Sequence, residues 1–170
     1  MKLVIFAGPP TCGKTTVIRQ VLKRMAAREI KTAYVKIDVL YADDDTIIAK
    51  EFGIPVMMHC CGSSSLAFDD FIEMGINVID TLQPEAANMM PAYLKERYGR
   101  SLSFHGCMST AGVIVNGNRE EAVQEARKLL DIMMPGGGYA FSPTHMLQDN
   151  TPTENVIAVY EAVREHGRYR

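Results

Sequence analysis

The sequence predicts an α/β protein, built from alternating βα units around a mainly parallel sheet. Short apolar, β-branched runs alternate along the chain with stretches of helical periodicity, a pattern typical of such sheets. Glycine, proline and capping residues separate the two kinds of segment. The predicted strands are residues 3–7, 32–37, 55–59, 77–79, 102–104 and 139–141.

Helix signals follow most of these strands. Asn118 and Glu121 have the spacing of a capping box and open one helix. We expect Pro152 at the first position of the last helix, where a backbone N–H would have no partner within the helix in any case. Periodicity predicts that this last helix turns Ile157, Tyr160 and Val163 inward. Further helices are predicted after Lys14 and at residues 66–74 and 91–98.

Composition limits the class of protein. The chain has 170 residues, 47% of them apolar and 22% charged, which fits one globular domain or two very small ones. A net charge of −2 with dispersed cations indicates neither a nucleic-acid nor a membrane partner. The apolar start of the chain breaks at Gly8, so we expect no secretory signal. The four cysteines include an adjacent pair, a poor disulfide framework, and we expect a reducing, cytoplasmic setting.

Residues 8–16 match the phosphate-binding pattern G-x-x-x-x-G-K-T between a predicted strand and a predicted helix. Such a loop lets backbone N–H groups converge on phosphate, and the helix N-terminus adds partial positive charge. Lys14 would reach the terminal phosphates and Thr15 would hold Mg²⁺, so we predict Mg-GTP or Mg-ATP as a ligand. The predicted nucleotide-binding residues of the loop are Gly8, Gly13, Lys14, Thr15 and Thr16.

With this loop, Val35-Lys36-Ile37-Asp38 and the acidic residues 43–45, the segment 1–56 resembles the opening of P-loop GTPases that serve nickel and cobalamin metallocentres. The resemblance implies that Asp38 helps to hold Mg²⁺; alternatively it is a strand-end carboxylate that caps the next segment. No D-x-x-G switch and no N/T-K-x-D motif follows, so the nucleotide base is left open.

Polar and reactive side chains follow four later strands, where the sites of parallel βα proteins lie. These clusters begin at His59, Gln83, His105 and Ser142. We therefore expect them to face one pocket.

His59, Cys61 and Cys107 offer one imidazole and two thiolates, a set that would leave a catalytic Zn²⁺ one open position. Such a zinc would activate a thiol substrate as thiolate. Glu85 and His105 are substitutes for a further ligand. The alternative is that the cysteines pack as small apolar residues and His59 caps a strand.

Several motifs beyond residue 56 recur in the order of a known family. They are residues 59–62 (HCCG), 83–86 (QPEA), 104–106 (FHG), 136–139 (GGGY) and 143–145 (PTH). Through them the segment 57–170 resembles the C-terminal half of the uroporphyrinogen decarboxylase family. The resemblance implies a (β/α)₈-barrel ancestry, and His59-x-Cys61 is similar to the branch of zinc-dependent methyltransferases that work with a methyl-corrinoid protein. His145 matches the family's late active-site histidine, and we take it with Glu85 as a candidate catalytic residue; alternatively, His145 is a loop histidine bonded to backbone.

The two resemblances meet at residues 53–62, so we expect a P-loop segment at 1–56 and a half-barrel at 57–170, or one merged domain. By the resemblance, a decarboxylase keeps its substrate-binding arginines in the first half of the barrel, which the P-loop segment replaces here, and decarboxylation is not expected. Barrel closure is left open. An unclosed half would expose strand edges, and we expect a homo-oligomer.

Three functions follow as hypotheses. The first is a truncated zinc-dependent methyltransferase-type enzyme whose activity is impaired, with a corrinoid protein or a small methylated substrate as partner. The second is a nucleotide-binding accessory protein of metallocentre assembly. The third is a non-catalytic chimera of two α/β proteins.

Overall fold

Five parallel strands form one sheet in the computed structural model, which describes residues 13–32, 34–36 (backbone only) and 51–169. Each strand pairs with the next one in the sequence, in the order β1-β2-β3-β4-β5. Helices connect most of the strands, as βα units require. This unbroken sequential order is that of part of a (β/α)₈ barrel, and it confirms the predicted α/β class.

The strands are β1 (Tyr34–Lys36), β2 (Val56–His59), β3 (Val78–Leu82), β4 (Ser103–Met108) and β5 (Tyr139–Pro143). The helices are α1 (Lys14–Ala26), α2 (Phe68–Met74), α3 (Pro91–Tyr98), α4 (Val113–Asn116), α5 (Arg119–Met133) and α6 (Thr153–His166), with a 3₁₀ turn at Ser65–Ala67 before α2. The strand predicted at residues 3–7 lies outside the described residues. Within the described part of the chain, no helix is long and apolar enough to cross a bilayer.

The two faces of the sheet differ in what covers them. Ile79, Phe104 and Tyr139 are buried in the core between the strands and the helices. Because side chains alternate along a strand, the residues next to them point to the opposite face. Asp80, His105 and Ala140 lie there and are partly or fully exposed. The candidate site is built on this second face.

Helix α5 forms as the sequence predicts. The Asn118 side chain accepts from the Glu121 N–H, and the Glu121 carboxylate accepts from the Asn118 N–H, so the capping box is complete. The same helix buries an apolar stripe at helical spacing. Its buried residues are Ala122, Ala126, Leu129, Leu130 and Met133.

The predicted inward face of α6 is wrong at two of its three residues: Val163 packs against the core as predicted, but Ile157 and Tyr160 are exposed. Ile157 is 55% exposed and Tyr160 is 46% exposed. The helix begins at Thr153 with Pro152 as its N-cap, one position later than expected, and buries Asn155, Ala158, Val159 and Ala162 instead. The buried face includes an asparagine, so hydrophobic periodicity alone does not identify the whole inward side of the helix.

Helix α1 packs against the segment just before β2. Ile18 and Leu22 are buried and contact Phe52 and Ile54. On the surface, Arg19 Nε donates to Glu51 Oε2 at 2.6 Å. The helix predicted after Lys14 therefore covers this segment with its buried apolar residues.

Candidate functional site

Three polar side chains stand side by side on the open face of the sheet. His59 ends β2 and is the register partner of Asp80 on β3, which is in turn the partner of His105 on β4. Asp80 lies between the two imidazoles. Its Oδ2 is 2.6 Å from His59 Nδ1, and its Oδ1 is 2.7 Å from His105 Nδ1.

One carboxylate therefore fixes both rings. Burial tends to raise the pKa of Asp80, but the hydrogen bonds from His105 and His59 outweigh it and hold the pKa below its ordinary value. An ionised carboxylate only accepts hydrogen bonds, so each histidine donates from Nδ1–H. A neutral imidazole held in this way keeps its lone pair on Nε2, the arrangement of a carboxylate-oriented metal ligand.

The Nε2 atom of His59 faces a thiol. It lies 3.1 Å from Cys61 Sγ. Partial burial, with Cys60 and Asp80 nearby, raises the pKa of the Cys61 thiol in the metal-free protein. Cys60 packs against the helix-covered core, as the alternation of side chains predicts, whereas Cys61 is exposed. At Gly62 the chain turns with φ +75°, a conformation that favours glycine, and the Gly62 N–H donates to Gln83 Oε1 at 2.5 Å.

His145 approaches these two residues from the loop after β5. Its ring centroid is 6.2 Å from that of His59. The neighbouring Thr144, which is 4% exposed, anchors the loop. Its N–H donates to Met108 O at 2.8 Å, its carbonyl accepts from the Thr81 hydroxyl, and its Oγ1 accepts from the Thr110 N–H at 3.2 Å.

The ligand atoms of His59, Cys61 and His145 all lie within 4.8 Å of one another. Two imidazoles and one thiolate form a nitrogen–sulfur set that suits Zn²⁺. Ligand atoms around a tetrahedral zinc are about 3.5 Å apart, given the usual Zn–N and Zn–S bond lengths. The three residues therefore fit such an ion after small side-chain movements and would leave a fourth position open.

Cys107, the predicted third ligand, is not part of this group. It is fully buried in the core, with φ +73°, and burial raises the pKa of its thiol to about 12. Glu85 is exposed and also lies outside the group. His105 is bound to Asp80 as described. His145, which sequence reasoning assigned to catalysis, takes the third place beside His59 and Cys61.

The predicted nucleotide residues are described only in part. Gly13 has φ +81° and is the N-cap of α1, which begins at Lys14 and continues through Thr15 and Thr16. Gly8 and Asp38 lie outside the described residues, so the geometry of the complete loop stays a prediction.

Asp80 and Thr144 are the residues that sequence reasoning missed. Asp80 directly follows the strand predicted at residues 77–79, and its role depends on the register that sets it between two histidines. Thr144 acts through hydrogen bonds to residues 34 and 63 positions away. The one available signal in the sequence is a carboxylate at the end of a strand that lies between two strands ending in histidine.

The family model for uroporphyrinogen decarboxylase (URO-D) matches residues 17–166. The chain belongs to the uroporphyrinogen decarboxylase family. The match begins within α1 and crosses residues 53–62, where the two sequence resemblances meet. Over 65 residues the chain is 45% identical to a uroporphyrinogen decarboxylase from Anaeromyxobacter dehalogenans, covering 33% of this chain and 19% of that protein.

One further relative and one solved structure of similar fold extend the comparison. An uncharacterized protein, MJ0120 of Methanocaldococcus jannaschii, is 43% identical over 58 residues, which cover 34% of this chain and 24% of that protein. A methyltransferase from Methanosarcina mazei shares the fold with a TM-score of 0.62 and 17% identity, over 91% of this chain and 48% of that one. This family member thus spans about a quarter or less of the curated relatives it matches and about half of the methyltransferase.

Proposed function

We propose that this family member is a zinc-dependent protein of the methyltransferase type, with His59, Cys61 and His145 as the metal ligands. The observation that carries the proposal is the convergence of their ligand atoms within 4.8 Å, with His59 Nδ1 held by Asp80. Zinc bound there would keep a coordinated thiol as thiolate, the nucleophile for a methyl group.

Residues of this chain would orient the metal ligands and leave the site open to a substrate. Asp80 orients His59 so that Nε2 is presented to the ion, and such outer contacts sustain metal affinity. Cys61 and His145 are exposed, so a small substrate can approach the open position. The methyl donor would be a corrinoid protein or a small methylated compound. We do not propose decarboxylation for this chain.

The test is zinc-dependent methyl transfer. The purified chain is incubated with a small thiol and a methylated corrinoid, and loss of the methyl–cobalt absorbance is followed with zinc and after chelation. We expect slow turnover that requires zinc and is lost in Cys61→Ala, while the control Cys107→Ser keeps it. Equal rates with zinc, with chelator and in Cys61→Ala would contradict the proposal.

Nucleotide binding at residues 8–16 is a second candidate. It is favoured by the start of α1 at Lys14, directly after Gly13 in the left-handed conformation that a phosphate loop uses. Mg-GTP and Mg-ATP are titrated into the native chain and into Lys14→Ala. Saturable binding that is lost in the variant would support an accessory role in metallocentre assembly. If neither nucleotide binds at millimolar concentration, this candidate falls.

A further inference from the structure

The loop that carries Cys61 is bonded to the loop that follows β3. The Gly62 N–H donates to Gln83 Oε1 at 2.5 Å, and the Ser63 hydroxyl donates to the Ala87 carbonyl. Because a backbone N–H only donates, the atom of Gln83 that meets it is the oxygen of the side-chain amide. The bond to Gln83 is partly buried, so water competes with it less than with a contact on the open surface.

This bond continues the alignment of β2 with β3 beyond the ends of the strands. His59 and Asp80 pair in register and are 21 residues apart in the sequence, and Gly62 and Gln83 are separated by the same 21 residues. The loop after β3 therefore runs beside the loop after β2, at the point where Cys61 joins the proposed metal site.

The backbone is held on both sides of Cys61. Before it, the Cys60 N–H donates to the Asp80 carbonyl at 2.6 Å. After it, the Gly62 N–H that bonds to Gln83 belongs to the peptide group that begins with the Cys61 carbonyl. With this peptide plane fixed, rotation about the Cα–Cβ bond is the main freedom left to the thiol. Its Sγ lies 3.1 Å from Nε2 of the histidine that ends β2.

We propose that Gln83 is a positioning residue of the metal site, whose amide oxygen fixes the Cys61–Gly62 peptide so that the Cys61 thiolate is presented to the metal. The inference rests on the proposed function, because Gln83 acts on the metal only through Cys61. It supports the thiolate through the backbone, as Asp80 supports the His59 imidazole through a side chain. Loss of one neutral hydrogen bond should weaken metal binding about threefold to tenfold.

Three substitutions isolate this bond. Gln83→Leu removes the acceptor and keeps a side chain of similar size, whereas Gln83→Glu keeps an acceptor oxygen at the same distance from the backbone. Ser63→Ala is the matched control, because it removes a second bond between the same two loops. None of the three changes a proposed metal ligand.

The experiment measures the Zn²⁺ affinity of each chain by isothermal titration. Each chain is also saturated with Co²⁺, whose thiolate-to-metal absorption band reports the bond between Cys61 and the metal. The band per bound Co²⁺ depends on how the sulfur meets the ion, whereas a general loosening of the fold would lower the urea midpoint and leave this band unchanged. Because Gln83→Glu also adds a negative charge that attracts the cation, its band, and not its affinity, decides whether it rescues the site.

We expect Gln83→Leu to bind Zn²⁺ about threefold to tenfold more weakly and to show a weaker band per bound Co²⁺. Gln83→Glu should keep the native band, and Ser63→Ala should keep both the band and an affinity within about twofold of the native chain, because water can replace an exposed hydroxyl.

A native band in Gln83→Leu would overturn the role of Gln83, and so would a band that Gln83→Glu loses to the same extent. An equal loss in Ser63→Ala would overturn it as well, because contact between the loops in general would then hold Cys61. In all these cases the native chain still binds metal and the proposed function stands. A native chain that binds no metal would overturn the proposed function and the role of Gln83 with it, and metal content measured on every sample tells the two failures apart.

Discussion

The buried asparagine of α6 offers a quantitative test of the fold around the site. Asn155 is 2% exposed, and its Nδ2 donates to Ile114 O at 3.1 Å and to Gly117 O at 2.9 Å. Replacing it with alanine removes both bonds and leaves the buried Ile114 carbonyl and the partly buried Gly117 carbonyl without these donors. A buried polar group left without its partner costs about 1–3 kcal/mol, so we expect Asn155→Ala to lower the free energy of unfolding by about 2–4 kcal/mol. That is a large share of the total for a domain of this size.

A matched control exists on the surface. Asn116 also donates from Nδ2 to two backbone carbonyls, those of Ala111 at 2.8 Å and Gly112 at 3.3 Å, but it is exposed. Water can replace it, so Asn116→Ala should cost less than about 1 kcal/mol. Asn155→Asp keeps the shape of the side chain but puts a carboxylate against two carbonyl oxygens, and it should be at least as destabilising as alanine.

Urea unfolding followed by circular dichroism measures all three variants, with midpoints and slopes compared to the native chain. The reasoning requires that the alanine variant at position 155 unfold at clearly lower denaturant than the one at position 116. If the two losses are equal, or if Asn155→Ala costs less than about 1 kcal/mol, the buried hydrogen bonds do not stabilise α6 as argued.

Three further predictions concern the site. Asp80→Asn should weaken zinc binding about tenfold to hundredfold, as loss of an outer carboxylate does elsewhere, and isothermal titration would show no change if Asp80 does not orient the ligand. Thr144→Val should lower zinc affinity as well, because Thr144 anchors the loop that carries His145, and rescue by Thr144→Ser would separate the hydroxyl from the shape of the residue. In metal-free protein at pH 8, Cys61 should react with iodoacetamide well before Cys107, since burial raises the pKa of the Cys107 thiol to about 12. Peptide mapping follows each site, and equal rates at the two thiols would refute the assigned burial.

Features that depend on local signals were predicted correctly. The capping box of α5 needs only residues three positions apart, and its buried stripe follows from the helical period. The nearness of His59 and Cys61 also has a local cause, because two residues at a strand end share one rim. Their role as metal ligands stays a prediction. On α6, Ile157 and Tyr160 were wrongly predicted to face inward, because Asn155 is buried by hydrogen bonds to the α4 region, which no apolar pattern records.

Features that depend on strand register and on distant loops could not be predicted from the sequence. Asp80 gains its role because β2, β3 and β4 align His59, Asp80 and His105 in one row, and a one-residue shift would turn the carboxylate to the other face. The place of His145 depends on the bonds of Thr144 to Thr81, Met108 and Thr110, none of them close in sequence. The domain boundary near residue 56, the nucleotide site and the expected homo-oligomer stay predictions.

The most direct measurement of the central claim is zinc content per chain by elemental analysis, after equilibration with Zn²⁺ and removal of loosely bound metal. We predict one zinc per native chain, about one in Cys107→Ser, and little or none in His59→Ala, Cys61→Ala and His145→Ala, because three protein ligands are needed to hold the ion. A native chain without zinc would contradict the account. So would a loss of zinc in Cys107→Ser together with its retention in His145→Ala, which would restore the cysteine as the third ligand.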